Sequence, residues 1–136
     1  MKNRVLGMLL ALIFVSPLQV KALHIYQDPI PVGDYVADLD NMLDKAVARN
    51  HWFFERQGDK RFARLDYKGY KINVALLETP EGIAVSLIDA NRDGCGKSQC
   101  EVDMNRVTGW LVKLRRTIAY DLTLAVRDDA LRRTLD

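Results

Sequence analysis

The chain is expected to form an α+β fold. The predicted architecture is a four-stranded antiparallel meander flanked by an N-terminal and a long C-terminal helix (α-β-β-β-β-α), with the helices covering one face of the sheet. Three observations predict it. Residues 34–49 repeat apolar side chains at helical spacing, residues 51–89 switch to alternation in four runs, and the helical period returns from Asp103 onward. The turn signals between the runs are two to four residues long, and turns that short join antiparallel neighbours. A sheet with one apolar face needs a cover, and the flanking helices are the available one.

Leu23 to Val32 reads as a lead-in, because Asp28-Pro29-Ile30-Pro31 holds the chain extended. Asp34 is the expected cap of the first helix, with Val36, Leu39, Leu43 and Ala46 as its apolar stripe and Met42 and Val47 beside them. Asn50 is expected to close it in a left-handed conformation. The strands are His51–Gln57, Arg61–Tyr67, Tyr70–Leu77 and Ile83–Asp89, divided by Gly58-Asp59, Lys68-Gly69 and Thr79-Pro80-Glu81-Gly82.

Alternation assigns the strand faces. Trp52, Phe54, Ala63, Leu65 and Tyr67 face the helices, followed by Tyr70, Ile72, Val74 and Leu76, then Ile83, Val85 and Leu87. Arg56, Arg64, Asp66, Lys71, Asn73 and Ser86 face the other way.

Asp103 should cap the last helix, whose stripe is Val107, Trp110, Leu111, Leu114 and Ile118. Gly109 costs about 1 kcal/mol there relative to alanine, which points to close packing against the sheet. Beyond Ile118 the pattern fits strand as well as helix. The i,i+4 pairs Asp128–Arg132 and Asp129–Arg133 favour helix, with a break near Arg127 as one way to keep the tail on the domain.

The first 22 residues hold the three parts of a secretory signal peptide: Lys2 and Arg4, the eleven-residue run Val5 to Val15, and small residues at the −3 and −1 positions of Val20-Lys21-Ala22. That run is too short to span a bilayer, which takes roughly 20 residues in a helix. With residues 1–22 removed, residues 23–136 form a single domain, periplasmic or secreted, with no stable membrane insertion after cleavage. Losing Lys2, Arg4 and Lys21 takes 20 basic residues to 17 against 18 acidic ones, a net charge of −1. A near-neutral domain lacks the electrostatic footprint of a nucleic-acid binder.

Asp89-Ala90-Asn91-Arg92-Asp93-Gly94 matches the first half of a calcium loop, with Asp89, Asn91 and Asp93 as ligands. Its second half fails: Cys100 stands where a bidentate Glu belongs, and Lys97 brings a cation into the loop. An ordinary polar turn leaving a strand uses the same residues. Cys95 and Cys100 are expected to form a local disulfide, since an even cysteine count in an oxidising compartment usually means a bridge. No catalytic residues are assigned. His24 falls in the lead-in, His51 at a strand edge, and no nucleophilic triad or phosphate loop can be drawn. Lys60, Arg61, Arg64, Lys68 and Lys71, with Arg56 across the sheet, group as a basic hairpin that fits either docking or simple solvation. Leu124, Leu131 and Leu135 would form an apolar strip on any overhanging helix.

Trp52 opening the first strand, Tyr67 ending the second, the Tyr70-Ile72-Val74 strand and the Gly109-Trp110 helix together resemble a group of small exported bacterial domains, many of them lipoproteins, with no assigned function. The resemblance covers roughly residues 36–118 and implies the architecture without an activity; this chain lacks those members' lipidation cysteine. Three functions follow from the residues. The leading one is a non-catalytic protein-interaction module of the cell envelope, binding an envelope protein and using no cofactor. The others are a calcium-binding loop protein using Asp89, Asn91 and Asp93, and a small hydrolase with an unrecognised site.

Overall fold

The computed structural model describes residues 25–135; the expected leader and His24 lie outside them. A 3-10 turn at Ile25–Gln27 leads into helix α1 (Leu39–Ala48), strands β1 (Trp52–Gln57), β2 (Lys60–Tyr67), β3 (Tyr70–Thr79) and β4 (Gly82–Arg92), and helix α2 (Met104–Leu135). The strands form one sheet in the order β1-β2-β3-β4, each pair antiparallel. This is the predicted α-β-β-β-β-α meander.

The β2–β3 turn explains the topology locally. Lys68 (φ 50°) and Gly69 (φ 79°) both lie in the left-handed region, the requirement of a two-residue hairpin turn whose twist matches its strands. Gly82 (φ 137°) has a second reason to lack a side chain. A Cβ there would come within 1.9 Å of the Ile30 carbonyl oxygen. That close approach lets Ile30 and Ile83 exchange both backbone hydrogen bonds, at 2.7 and 2.9 Å. The lead-in is therefore stitched to the edge of β4, and it adds Tyr26 and Ile30 to the core. Arg115 on α2 holds it from the other side, donating to the Asp28 carbonyl at 2.9 Å.

The core lies between one face of the sheet and the two helices. Leu65, Tyr70, Ile72, Val74 and Val85 meet Leu43 and Val47 of α1 and Val107, Leu111, Leu114 and Ile118 of α2. The Asp103 side chain accepts from the backbone N–H groups of Asn105 and Arg106, as a capping residue should. Its own N–H donates to the Tyr70 hydroxyl, which ties the start of α2 to the sheet.

Several expectations need correction. The cap of α1 is Asp38, not Asp34: Asp38 accepts from Asn41 N–H at 3.0 Å, whereas Gly33 to Val36 form a separate turn closed by a Val36-to-Gly33 bond. The left-handed residue after α1 is His51 (φ 66°), not Asn50, whose side-chain amide instead donates to the Thr117 hydroxyl on α2. Gly109 is exposed, and among the described residues a Cβ there would meet nothing within 4 Å, so close packing against the sheet does not account for it. Beyond Ile118 the chain is helix, as expected, but without the break considered near Arg127: α2 runs on for 32 residues, about 48 Å at 1.5 Å per residue. Its buried stripe ends at Leu122: Ala125 is only partly covered, and the stripe positions beyond it bear Asp129 and Arg132. The last turns therefore overhang, with Leu131 and Leu135 exposed.

Candidate interaction surfaces

Both helices pack on one side of the sheet, and among the described residues nothing covers the other side. Cross-strand register places Glu55, Phe62, Ala75 and Ser86 in one row across this open face, and Phe53, Arg64, Asn73 and Asp89 in the next. Phe53 is 62% exposed and Ile88 52%, high values for large apolar side chains. Ile88 owes its position to a β-bulge. Asn73 pairs with Asp89 and Val74 with Leu87, so Ile88 is the extra residue between them. With Phe53, Phe62 and Arg64 it lines an open depression of about 510 Å³. The polar groups there are held in place: the Arg64 guanidinium lies 6.0 Å from the Phe53 ring centroid, and Asn73 donates to Asp89 at 2.7 Å. The result is an apolar centre ringed by charges of both signs.

The basic hairpin divides between the two faces. Arg64 and Lys71 are on the open side, as expected. Arg56 is not: alternation from Trp52 and Phe54 puts it on the helix side, where it pairs with Asp40 of α1. Arg61 reaches the same carboxylate at 2.5 Å and Glu78 at 3.0 Å. These two arginines fasten α1 to the sheet, with Asp40 in the first helical turn where the helix dipole favours an anion. The sequence carried a signal for this, since Arg56 lies two and four residues after apolar, helix-facing positions.

The calcium-like segment does not form a loop over its first half. Asp89 and Asn91 belong to β4 and pair across to Asn73 and Lys71, so their side chains stand side by side along a strand. Asp93 is beyond the strand end, its N–H bonded to the Gly69 carbonyl and its carboxylate 3.8 Å from Lys71. Among the described residues no group of three or more His, Cys, Asp or Glu side chains converges. The following loop brings Cys95 and Cys100 to disulfide distance, with Sγ atoms 1.95 Å and Cα atoms 5.8 Å apart. His51 stands at the α1–β1 corner beside Arg49 and Lys113.

Sequence reasoning missed one buried charge. Asp121 of α2 is only 8% exposed and is approached by Arg49 at 2.9 Å. The contact is poorly aligned for a hydrogen bond, and Asp121 Oδ1 accepts none. It is an ion pair rather than a bonded network, and it secures the C-terminal end of α1 against α2. Among the described residues no helix is long and apolar enough to cross a membrane.

Comparison with protein-family models, curated proteins and solved structures finds no match to this chain.

Proposed function

We propose that the chain is a non-catalytic interaction module of the cell envelope, directed there by residues 1–22, that docks an envelope protein on the open face of its sheet. One observation carries this reading: the uncovered face has an apolar centre of Phe53, Phe62 and Ile88 inside a rim of charged and amide groups. Interfaces have that anatomy, aromatic at the middle and polar at the edge. A face that served only solvation would carry polar residues where these three stand. Kinship with the small exported domains that Trp52, Tyr67 and Gly109-Trp110 resemble belongs to the same proposal.

A photo-activated cross-linking residue at position 53 tests the docking face in living cells. The expected result is a single adduct with an envelope protein, lost when Ile88 is replaced by Asp and absent when the probe sits at exposed Arg116 on α2. Adducts of equal yield from positions 53 and 116 would place docking elsewhere and defeat the proposal.

A further inference from the structure

A second concavity lies on the helix side of the sheet, independent of the docking face. The corner between α1 and β1, the end of β2 and the N-terminal third of α2 enclose a cleft of about 270 Å³. Its aromatic walls are Trp52, Tyr67 and Trp110, and its polar groups include Arg49, His51 and Lys113. Trp110 is held in position by two edge-on aromatic contacts, with Tyr67 at 5.8 Å and Tyr70 at 5.1 Å. Such contacts fix a ring's orientation before any ligand arrives. His51 occupies the left-handed position that ends α1 (φ 66°), which turns the chain into β1 and puts the imidazole in the cleft lining.

The electrostatics are one-sided. Lys68, outside the lining, stands 5.2 Å from the ring centroid of Tyr67, one of the cleft walls. Among the described residues no carboxylate lines the cleft. Arg49 is engaged by Asp121, which is outside the lining, so Lys113 is left as a cleft cation without an ion-pair partner among the described residues. Among the described residues the side chains of His51, Trp110 and Lys113 make no hydrogen bond or ion pair. In a domain of net charge near zero, a cleft with cations, free donors and no acid selects for an anion. Half-exposed Tyr67 and Trp110 ask for a flat ring beside that charge. The volume is slightly below the roughly 300–1,000 Å³ of drug-sized pockets, which limits the occupant to about one ring.

We infer that this cleft binds a small carboxylate carried on a six-membered ring, of the acidic-monosaccharide or aromatic-acid kind. The ring rests against Trp110 and Tyr67, and the carboxylate is held by Lys113 and His51.

Both tryptophans of the chain line the cleft, so their two indole N–H resonances report directly on its occupancy. The exported chain is titrated with glucuronate and with benzoate, and separately with glucose and with acetate at matched ionic strength. The expected result is a saturable shift of both indole signals with at least one ring acid and none with glucose or acetate. Saturation by glucuronate alone assigns the acidic sugar, and by benzoate alone the aromatic acid. Lys113→Ala, an exposed position that the fold does not need, should weaken binding roughly tenfold, the loss expected for one charge-assisted contact. Phe53→Ala should leave it unchanged, so failure of the docking face and failure of the cleft are separable. The inference is overturned if neither ring acid saturates, if acetate or glucose shifts the signals equally, or if Lys113→Ala binds as the parent does.

Discussion

Trp52 and Phe53 are adjacent on one strand and have opposite fates: Trp52 is 3% exposed under the helices, and Phe53 is 62% exposed on the bare face. The same contrast runs across the whole sheet. Ile72, Val74 and Val85 are sealed on one side, while Leu77 and Ile88 stand open on the other. A side chain on the covered face is retained because burying it stabilises the fold. One on the open face stabilises little, so its presence calls for another reason, which the docking proposal supplies. The two faces should therefore separate stability from binding.

The largest effect tests that separation directly. Truncating Ile72 or Leu111 to alanine should cost about 2–5 kcal/mol, the range for emptying a fully buried aliphatic site. Phe53→Ala should stay within about 0.5 kcal/mol, as exposed positions do. Urea unfolding of the three variants checks both numbers; comparable losses would mean the open face is structural after all.

The loop at Cys95 and Cys100 belongs to neither face, and replacing both cysteines by serine should cost about 2 kcal/mol. The fold should survive, since a whole domain typically has 5–15 kcal/mol. Thermal melting measures the loss, and an amide spectrum with unshifted core resonances confirms the fold.

Gly109 sharpens the contrast in the other direction. It is exposed on α2 with open space around it, so Gly109→Ala should stabilise by up to about 1 kcal/mol. A destabilised variant would restore the close-packing explanation.

The smallest effect belongs to the overhang. Leu131 and Leu135 are 55% and 86% exposed, and ending the chain after Val126 should change stability by less than about 0.5 kcal/mol. A large drop in melting temperature would show that these turns are covered in solution.

The fold was legible because its signals were redundant. Each hairpin had a compact turn, each strand its alternation, and each helix its own stripe, and as far as Ile118 all of them agreed. The errors fell where one residue had two plausible local roles. Asp34 and Asp38 are both competent caps, and only the Gly33–Val36 turn decides between them. Asn50 and His51 both tolerate a left-handed backbone, and Asn50 was diverted by a partner 67 positions away. The candidate sites were less legible still. Asp89 to Gly94 resembled a loop because Asp, Asn and Gly favour turns, yet pairing with β3 carried the strand on to Arg92. The cleft gave no local signal at all, since its walls come from three separate stretches of chain.

The amino-acid sequence by itself determined the number of elements, their order, the antiparallel hairpins and the face of nearly every strand residue. Those properties depend on neighbours a few positions apart, and periodicity records them. Tertiary structure alone decided that α2 runs straight past the domain and that Arg56 and Arg61 clasp Asp40. It also decided that a bulge exposes Ile88 and that Arg49, His51, Trp110 and Lys113 share a cleft. Each of these depends on which distant groups meet, a matter of packing and electrostatics between elements that no local pattern encodes.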